Sequence, residues 1–382
     1  MKILCMMLVL FLQDINLTVL DPALLASKKN AYKNGDKELV KKIQIVLKNA
    51  DKALAMKPES VMGKGLTPTS NSKHDYMSMA PYWWPDPAKA DGLPYIRKDG
   101  VRNPIIKTIT DHEFLDNLEN RCRFLSLAYY FTGEEKYAAK AQQFLHVWFL
   151  DASTKMNPNL DYAQAIPGRN DGRGNGIIES RALVNIADWV CLLNGAKSFP
   201  DADKEGIKTW YKAYLNWMMT SKNGIQESKS QNNHGTHYDA QLAAYALFVG
   251  DLPLAKTIVT GARKRFAIQI DSEGKQPLEL ERTNAYSYST MNLDGWFNLA
   301  MVGDKVGVDL WSDLKKAIDW LMPYALNQKP KTHTQLIEYN SSDFYKLLLI
   351  SAAKYKGNYE QKLKFHPPSD KLEITRLLYQ YK

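Results

Sequence analysis

The chain has 382 residues, of which 45% are hydrophobic and 24% are charged. This is enough apolar sequence for a substantial folded core, and it excludes a largely disordered protein. The formal net charge of +9 favours polyanionic partners such as nucleic acid, anionic lipid or an acidic polysaccharide, although a solvated lysine-rich surface would show the same excess. No dense run of Lys and Arg of the kind that nucleic-acid arms carry is present, so we predict no nucleic acid as the partner.

The N-terminal segment has the pattern of a secretory leader. A lysine is followed by an apolar run over residues 3–12, which is too short to span a bilayer. We therefore predict a signal peptide over residues 1–20 and a single domain over residues 21–382. The protein is expected in the periplasm or the medium, with no stable membrane span.

Apolar residues repeat at helical spacing through most of the remaining chain. The predicted helices cover residues 36–56, 112–131, 134–149, 176–193, 201–219, 236–249, 252–269, 287–306, 309–321 and 342–355. Asp36, Asp201 and Asp251 are predicted to be their N-caps. Long helices in antiparallel pairs predict an all-α domain, and an (α/α) toroid fits their number, although a solenoid would show the same pattern.

Two long segments, residues 63–110 and 157–175, lack this helical spacing. The first contains Tyr76 and the adjacent Trp83 and Trp84, close to several prolines. Such rings either fill the core beneath a loop or form a wall on which sugar rings stack. The residues alone leave both interpretations open.

The second segment combines Gln164, Arg169 and Arg173 with several glycines. Glycine lets a ligand approach the backbone closely, and guanidinium groups bind carboxylates through paired donors. The glycine spacing does not match a phosphate-binding loop with its lysine, which argues against a nucleotide. A flexible surface loop is the alternative.

A third candidate lies where a helix is predicted to begin and contains Asn232, Asn233, His234 and His237. Either asparagine is a suitable helix cap. Two histidines three residues apart on a helix can bind a metal, but no carboxylate-rich partner accompanies them, and we predict no metal. The catalytic interpretation is an amide that holds an acidic group beside an imidazole that moves a proton.

The fourth candidate contains Arg282, Tyr286 and Tyr288. The positive charge of Arg282 is expected to lower the pKa of a neighbouring tyrosine, which would then donate or accept a proton. The structural alternative is the start of a helix with packed aromatic rings.

Together these segments supply an amide, an imidazole, a phenol and a guanidinium, which suits β-elimination from a uronate. A base removes the proton at C5, next to the carboxylate, and an acid protonates the oxygen expelled from C4. Positioned donors must neutralise the charge that develops on the carboxylate. The reaction needs no organic cofactor, and we predict none.

The same segments resemble the alginate lyase family of polysaccharide lyases. The resemblance is carried by residues 74–87, residues 162–173, residues 232–236 and the pair Arg282 and Tyr288, and it extends over most of the chain. It implies an (α/α) toroid crossed by a cleft. It also implies β-elimination on an acidic, uronate-containing glycan such as alginate.

The resemblance further implies individual roles. Asn233 would neutralise the substrate carboxylate with help from Gln164 and an arginine, and His234 would be the base for one uronate epimer. Tyr288, tuned by Arg282, would be the acid and also the base where elimination is syn. The residues implied to line the cleft are Tyr76, Trp83, Trp84, Arg169, Arg173 and His237.

One departure from the family concerns the tyrosine. Many members have a histidine beside it, whereas here Ser287 and Ser289 flank Tyr288. The sequence therefore leaves Tyr286 as an alternative to Tyr288. It also leaves open the preferred epimer, endo or exo action, and the oligomeric state.

Two other functions compete with a lyase. A glycoside hydrolase on the same toroid would need two carboxylic acids facing the scissile bond, and no pair stands out. The candidates for such a pair are Asp75, Asp171, Glu179 and Glu281. A non-catalytic glycan-binding protein would use the same aromatic rings and arginines, but it would have no need of the amide, imidazole and phenol together.

Overall fold

The computed structural model describes residues 16–363 and 369–381, most of which lie in helices. The α-helices are α1 (Pro22–Lys33), α2 (Lys37–Leu54), α3 (Asp111–Thr132), α4 (Glu135–Phe149), α5 (Ala182–Leu192), α6 (Asp201–Thr220), α7 (Lys222–Ser228), α8 (Asn233–Phe248), α9 (Leu252–Gln269), α10 (Pro277–Leu280), α11 (Ala285–Val306), α12 (Trp311–Ala325), α13 (Tyr345–Lys354), α14 (Tyr359–Lys362) and α15 (Asp370–Tyr379). Short 3-10 helices cover Val61–Gly63, Pro104–Thr108, Gly174–Arg181 and Ser341–Phe344. The strands are β1 (Met77–Met79), β2 (Trp83–Trp84), β3 (Ile96–Arg97) and β4 (Tyr162–Ala165).

The predicted helices are present, with differences in type at two places. The helix predicted over residues 176–193 begins as the 3-10 helix Gly174–Arg181 and becomes α-helical only at Ala182. The helix predicted over residues 342–355 likewise starts with a 3-10 turn. Helices α1, α7, α10, α14 and α15 were not predicted. For α7, α10 and α14 the reason is length, because one or two turns give little periodicity.

Two of the three predicted N-caps are confirmed. Asp36 accepts a hydrogen bond from the backbone N–H of Leu39, and Asp251 caps α9 in the same way. Asp201 is not a cap, because α6 already includes it and the N-cap position is taken by Pro200. Asn232 caps α8, the helix that carries the predicted histidines.

The helices form the predicted all-α (α/α) toroid. Helices α3, α5, α8, α11 and α13 pack on one another in that order. Helices α2 and α4 pack on α3, α6 and α9 on α8, and α12 on α11, as the outer members of the hairpins. Helix α15 contacts both α13 and α2, so the C-terminal helices meet the N-terminal ones and close the ring.

The chain just before α1 is part of the folded core. Leu17, Val19 and Leu20 are buried, and the carboxylate of Asp188 in α5 accepts hydrogen bonds from the backbone N–H groups of Thr18, Val19 and Leu20. The leader boundary predicted at residue 20 therefore falls within a packed segment, while residues 1–15 lie outside the described part of the chain. Within the described ranges, no helix combines the length and apolarity needed to cross a bilayer.

The two segments without helical spacing are folded against each other. Strands β1 and β4 pair in parallel and join residues 63–110 to residues 157–175, and β2 pairs with β3 in an antiparallel hairpin. A fully buried ion pair between Lys64 and Asp111, 2.8 Å long, fastens the first segment to the start of α3. Strand β1 also packs on α3, and β4 packs on the 3-10 helix Gly174–Arg181.

Candidate active site

A cavity of about 650 Å³ lies where the two irregular segments meet α8 and α11. Both His234 and Tyr288 line it. Its cationic side chains are Arg97, Arg102, Lys107, Arg173, Arg181 and Arg282, against the carboxylates of Glu113, Asp116 and Glu179. This surplus of positive charge suits an anionic polymer.

His234 sits in the first turn of α8, beside the N-cap Asn232. The positive end of the helix dipole therefore lies at the cavity. The backbone N–H groups of the first turn are already bound, that of Asn233 to Glu279 and those of His234 and Gly235 to Asn232. The Nδ1 atom of His234 is 2.6 Å from Glu227 Oε1, and the Glu227 side chain is only 1% exposed. Because a carboxylate accepts, we assign the imidazole proton to Nδ1, which leaves Nε2 able to take a proton from a substrate.

Tyr288 lies in the first turn of α11, and its side chain contacts the remote 63–110 segment and the turn just before α11. Its hydroxyl donates to the Tyr82 oxygen at 2.7 Å. The Arg282 guanidinium lies 3.9 Å from the centre of the Tyr288 ring, a cation–π contact. Asp99 of the 63–110 segment binds Arg282 at 2.9 Å and also accepts from the Thr283 hydroxyl.

The electrostatics of this group correct one expectation. Burial and the hydrogen bond with Tyr82 raise the pKa of Tyr288 above the ordinary tyrosine value; the charge of Arg282 acts in the expected downward direction but is outweighed. Tyr288 is therefore protonated at neutral pH and suited to act as an acid. Burial alone would raise the pKa of Asp99, but hydrogen bonding and charge from Arg282 prevail and lower it, so Asp99 is ionised.

Gln164 and Arg173 form the part of the cavity contributed by the 157–175 segment. Gln164 has a backbone φ of +52°, a conformation that is costly for a residue other than glycine and is often found at functional sites. Its side-chain oxygen accepts a hydrogen bond from Arg173 at 2.7 Å. Burial lowers the pKa of Arg173 to about 10, which leaves it charged at neutral pH.

The three aromatic residues predicted to form one wall of the cleft lie in different surroundings. Trp83 lines the cavity, with Arg169 and Arg173 above its ring at 5.0 and 6.0 Å. Trp84 is directed elsewhere, because consecutive strand residues point to opposite faces, and its indole N–H donates to the Val101 carbonyl. Tyr76 is completely buried in the core, and its hydroxyl donates to Glu179.

Arg169 lies at the edge of a neighbouring cavity. Its Nε donates to the Tyr95 carbonyl at 2.9 Å, and its guanidinium covers the Trp83 ring. The neighbouring cavity has a volume of about 610 Å³ and shares Met79 with the cavity that contains His234. Arg169 is thus close to the predicted cleft but separated from His234 and Tyr288 by the aromatic wall.

Two residues predicted beside His234 are instead internal to the fold. Asn233 is fully buried, and both its backbone N–H and its side-chain amide donate to Glu279, at 2.6 and 2.7 Å. A substrate carboxylate would have to displace Glu279 to receive that amide. His237 is also buried and contacts the Met291 carbonyl through Nε2 at 3.0 Å; burial lowers its pKa to about 4.

The structure separates the two candidate tyrosines. Tyr286 is fully buried, and its hydroxyl accepts hydrogen bonds from the backbone of Thr332 and His333. Tyr288, two residues further along α11, lines the cavity. Residue spacing alone does not distinguish them, because the start of the helix fixes which one faces the cavity.

Several residues at or behind the cavity were not identified from the sequence. Tyr82 lies in the 74–87 segment but was given no role, whereas Glu227, Asp99 and Arg181 lie in segments with no recognisable motif. Tyr82, Asp99 and Arg181 contact residues that are remote in the chain. Among the residues that the structure describes, no group of three His, Cys, Asp or Glu side chains is arranged to hold a metal. Of the proposed hydrolase acids, Glu179 lines the cavity, where it accepts from the Tyr76 and Ser78 hydroxyls.

The toroid of helical hairpins, with an imidazole and a phenol in one cationic cleft, places this protein in the class of polysaccharide lyases. The pattern of the alginate lyase family matches residues 60–331. The chain belongs to that family.

Solved structures agree with this assignment. An alginate lyase from Bacteroides ovatus is 39% identical to this chain, with a TM-score of 0.90 over 96% of this chain and 99% of that one. Alginate lyase A1-III from Sphingomonas species A1 has a TM-score of 0.59 at 14% identity, over 96% of this chain and 98% of that one, and supports the fold alone. No curated protein sequence matches the chain.

Proposed function

We propose that the protein cleaves alginate by β-elimination. The observation that carries this proposal is that His234 and Tyr288, remote in sequence, line one cavity with a surplus of cationic side chains. Family membership and the similarity to an alginate lyase at 39% identity support the substrate. The Asn, His and Tyr segments named from the sequence contribute to this site, although Asn233 does so from beneath it.

In the proposed reaction, His234 Nε2 takes the C5 proton and the Tyr288 hydroxyl gives its proton to O4. The C4–O4 bond breaks as the C4=C5 double bond forms, so the product carries a conjugated unsaturated uronate. For the epimer whose C5 proton faces Tyr288, that residue acts first as base and then as acid. The Arg282 charge would stabilise the phenolate that this route requires.

The substrate carboxylate needs donors that are already in position when charge develops on it. Candidates at the cavity are the Gln164 amide, the Arg173 guanidinium and the Asn175 amide, and the dipole of α8 favours negative charge near its first turn. Asn233 is a positioning residue in this proposal: its two hydrogen bonds to Glu279 fix the first turn of α8 and thereby the place of His234.

A panel of acidic polysaccharides tests the reaction. Polymannuronate, polyguluronate and glucuronan are incubated with the protein, and ultraviolet absorbance and reducing ends are followed together. A lyase produces absorbance in step with chain cleavage. Reducing ends without absorbance would identify a hydrolase, and binding without either signal would identify a glycan-binding protein.

We further propose that the protein acts outside the cytoplasm, in the periplasm or the medium. The apolar run over residues 3–12 supports this, and so does a polymeric substrate too large to enter a cell intact. Cell fractionation with N-terminal sequencing of the mature protein tests the proposal. A mature chain that begins within residues 17–20 would require Asp188 to lose partners that it has in this fold.

A further inference from the structure

Arg181 is a cavity residue that the reaction described above does not use. It ends the 3-10 helix Gly174–Arg181, whose residues Asn175, Ile178 and Glu179 line the same cavity. Ser180 and Leu183 beside it are completely buried, whereas Arg181 itself is exposed to the cavity. The local helix therefore directs the guanidinium into the space where a substrate binds.

The hydrogen-bonding capacity of Arg181 is largely unused. Its Nη1 contacts the Met291 sulfur at 3.4 Å, and a thioether is a weak acceptor. Asp294, whose charge interacts with Arg181, is bound instead by Lys346 at 2.8 Å. A guanidinium carries five N–H donors in a fork that matches a carboxylate.

Three of the four other arginines that line the cavity are already engaged, the exception being the exposed Arg102. Arg97 and Arg282 both bind Asp99, and Arg173 donates to Gln164. Arg181 differs from these three because, among the described residues, its donors meet only the Met291 sulfur and no carboxylate or amide oxygen. A negative group of the substrate can therefore bind it without breaking an existing ion pair.

The position of Arg181 indicates which part of the substrate it meets. Met291 follows Tyr288 by three residues on α11, so the two lie on the same face about one helical turn apart. The donors proposed for the carboxylate of the reacting sugar are Gln164, Arg173 and Asn175. A guanidinium one turn beyond Tyr288 is placed for the next acidic sugar along the polymer.

We propose that Arg181 binds the carboxylate of the uronate unit next to the one that reacts. This inference rests on the proposed lyase function. Because that carboxylate does not change during elimination, its binding energy is the same in the ground state and the transition state. Such an interaction affects KM and leaves kcat nearly constant.

Kinetics of Arg181→Gln on polyuronate test the inference. We expect KM to rise about tenfold to hundredfold, the range for a lost charge-assisted hydrogen-bond pair, with kcat within about twofold of the wild type. Arg181→Lys keeps the charge but loses the fork, and its KM should fall between the two. Arg263→Gln on α9, where the guanidinium donates to the Asp309 carbonyl, is the matched control for charge and should leave KM unchanged.

Defined oligouronates identify the contact directly. In each, one carboxylate next to the reacting unit is reduced to an alcohol. On one of these substrates the KM of the wild type should be as high as that of Arg181→Gln on the unmodified oligouronate. The KM of the variant should not rise further on that substrate. An unchanged KM for Arg181→Gln, an equal rise in Arg263→Gln, or an effect of the variant that persists on every reduced substrate would overturn the inference.

Failure of the proposed function gives a different result. In that case the wild type forms no unsaturated product from any polyuronate, whatever residue stands at position 181. An active wild type with a KM that does not depend on Arg181 removes this inference alone. Thermal unfolding of each variant confirms that the exposed substitution leaves the fold intact.

Discussion

The two walls of the active-site cavity differ in how far apart their residues lie in the sequence. The histidine wall, formed by Glu227, Asn232 and His234, comes from two consecutive short stretches, the end of α7 and the start of α8. The tyrosine wall is formed by Tyr82, Asp99, Arg282 and Tyr288. It joins the irregular 63–110 segment to α11 and the turn before it, which are remote from that segment in the sequence.

This difference predicts how the walls respond to change. The histidine wall is positioned by local helix geometry, since a cap and a first turn fix the imidazole. The tyrosine wall requires the 63–110 segment to be folded onto the ring, and Gly100 at φ +75° allows its backbone to pass close to Thr283. We therefore expect the tyrosine wall to be the more sensitive to loop substitutions.

Tyr288→Phe should have the largest effect, because Tyr288 is the proposed acid for every substrate. We expect kcat/KM to fall about thousandfold or more on both mannuronate and guluronate polymers, while binding survives. Absorbance assays and equilibrium binding measure the two quantities. Tyr286→Phe removes a hydroxyl two residues away, outside the cavity, and should retain activity. The reverse result would assign the role of the acid to Tyr286 instead of Tyr288.

His234→Ala should distinguish the walls by substrate. We expect about a hundredfold loss on the polymer whose C5 proton faces His234 and less than about tenfold on the other, where Tyr288 serves as base. His146→Ala on α4 is the matched control, since that imidazole is half exposed and lies outside the cavity. Equal losses on both polymers would mean that a single base serves both epimers.

Glu227→Ala removes the acceptor that fixes the proton of His234 on Nδ1. We expect kcat to fall about tenfold to hundredfold on the His234-dependent polymer, because the imidazole would lose its orientation and tautomer. Glu227→Gln should lose less, since an amide oxygen still accepts from Nδ1. Glu205→Ala, an exposed residue paired with Lys208, is the control.

Asp99→Asn tests the dependence of the tyrosine wall on the loop. Loss of the ion pair with Arg282 should reduce kcat about tenfold on both polymers and make the 63–110 segment easier to cleave by limited proteolysis. The wild type should show a related loss only at low pH, because the lowered pKa of Asp99 keeps it ionised until the pH falls below the usual carboxyl range. Asp304→Asn, which breaks a pair with Lys354 away from the cavity, should have neither effect.

His237→Gln should have the smallest effect on activity and a measurable effect on the pH dependence of stability. The folded pKa of His237 is about 4, below its ordinary value of 6.5, so between these values the unfolded chain binds a proton that the folded protein does not. The wild type should therefore lose up to about 3 kcal/mol of unfolding free energy as the pH falls from 6.5 to 4. Denaturant titrations at both pH values should show a smaller loss in the variant, and an equal loss would contradict the assignment.

The sequence predicted the residues of the histidine wall better than their orientation. Asn232, Asn233 and His234 were identified together, and the helix begins there as the capping pattern requires. The α-helical period then places Asn233 in the core and His234 at the cavity, and a shift of one residue at the helix start would exchange them. The same reasoning applies to Trp83 and Trp84, where the strand period of two decides which ring meets the substrate.

The sequence by itself determined the helical hairpins, the all-α class and the segments that carry the chemistry, because hydrophobic periodicity and capping are local properties of the chain. Only the tertiary structure decided that the hairpins close into a ring and that Tyr82 and Asp99 support Tyr288 and Arg282. It also decided that Glu227 fixes His234 while Tyr76 and His237 lie in the core. Those arrangements depend on packing between remote segments and on the desolvation that accompanies it. Neither leaves a signal in the spacing of residues.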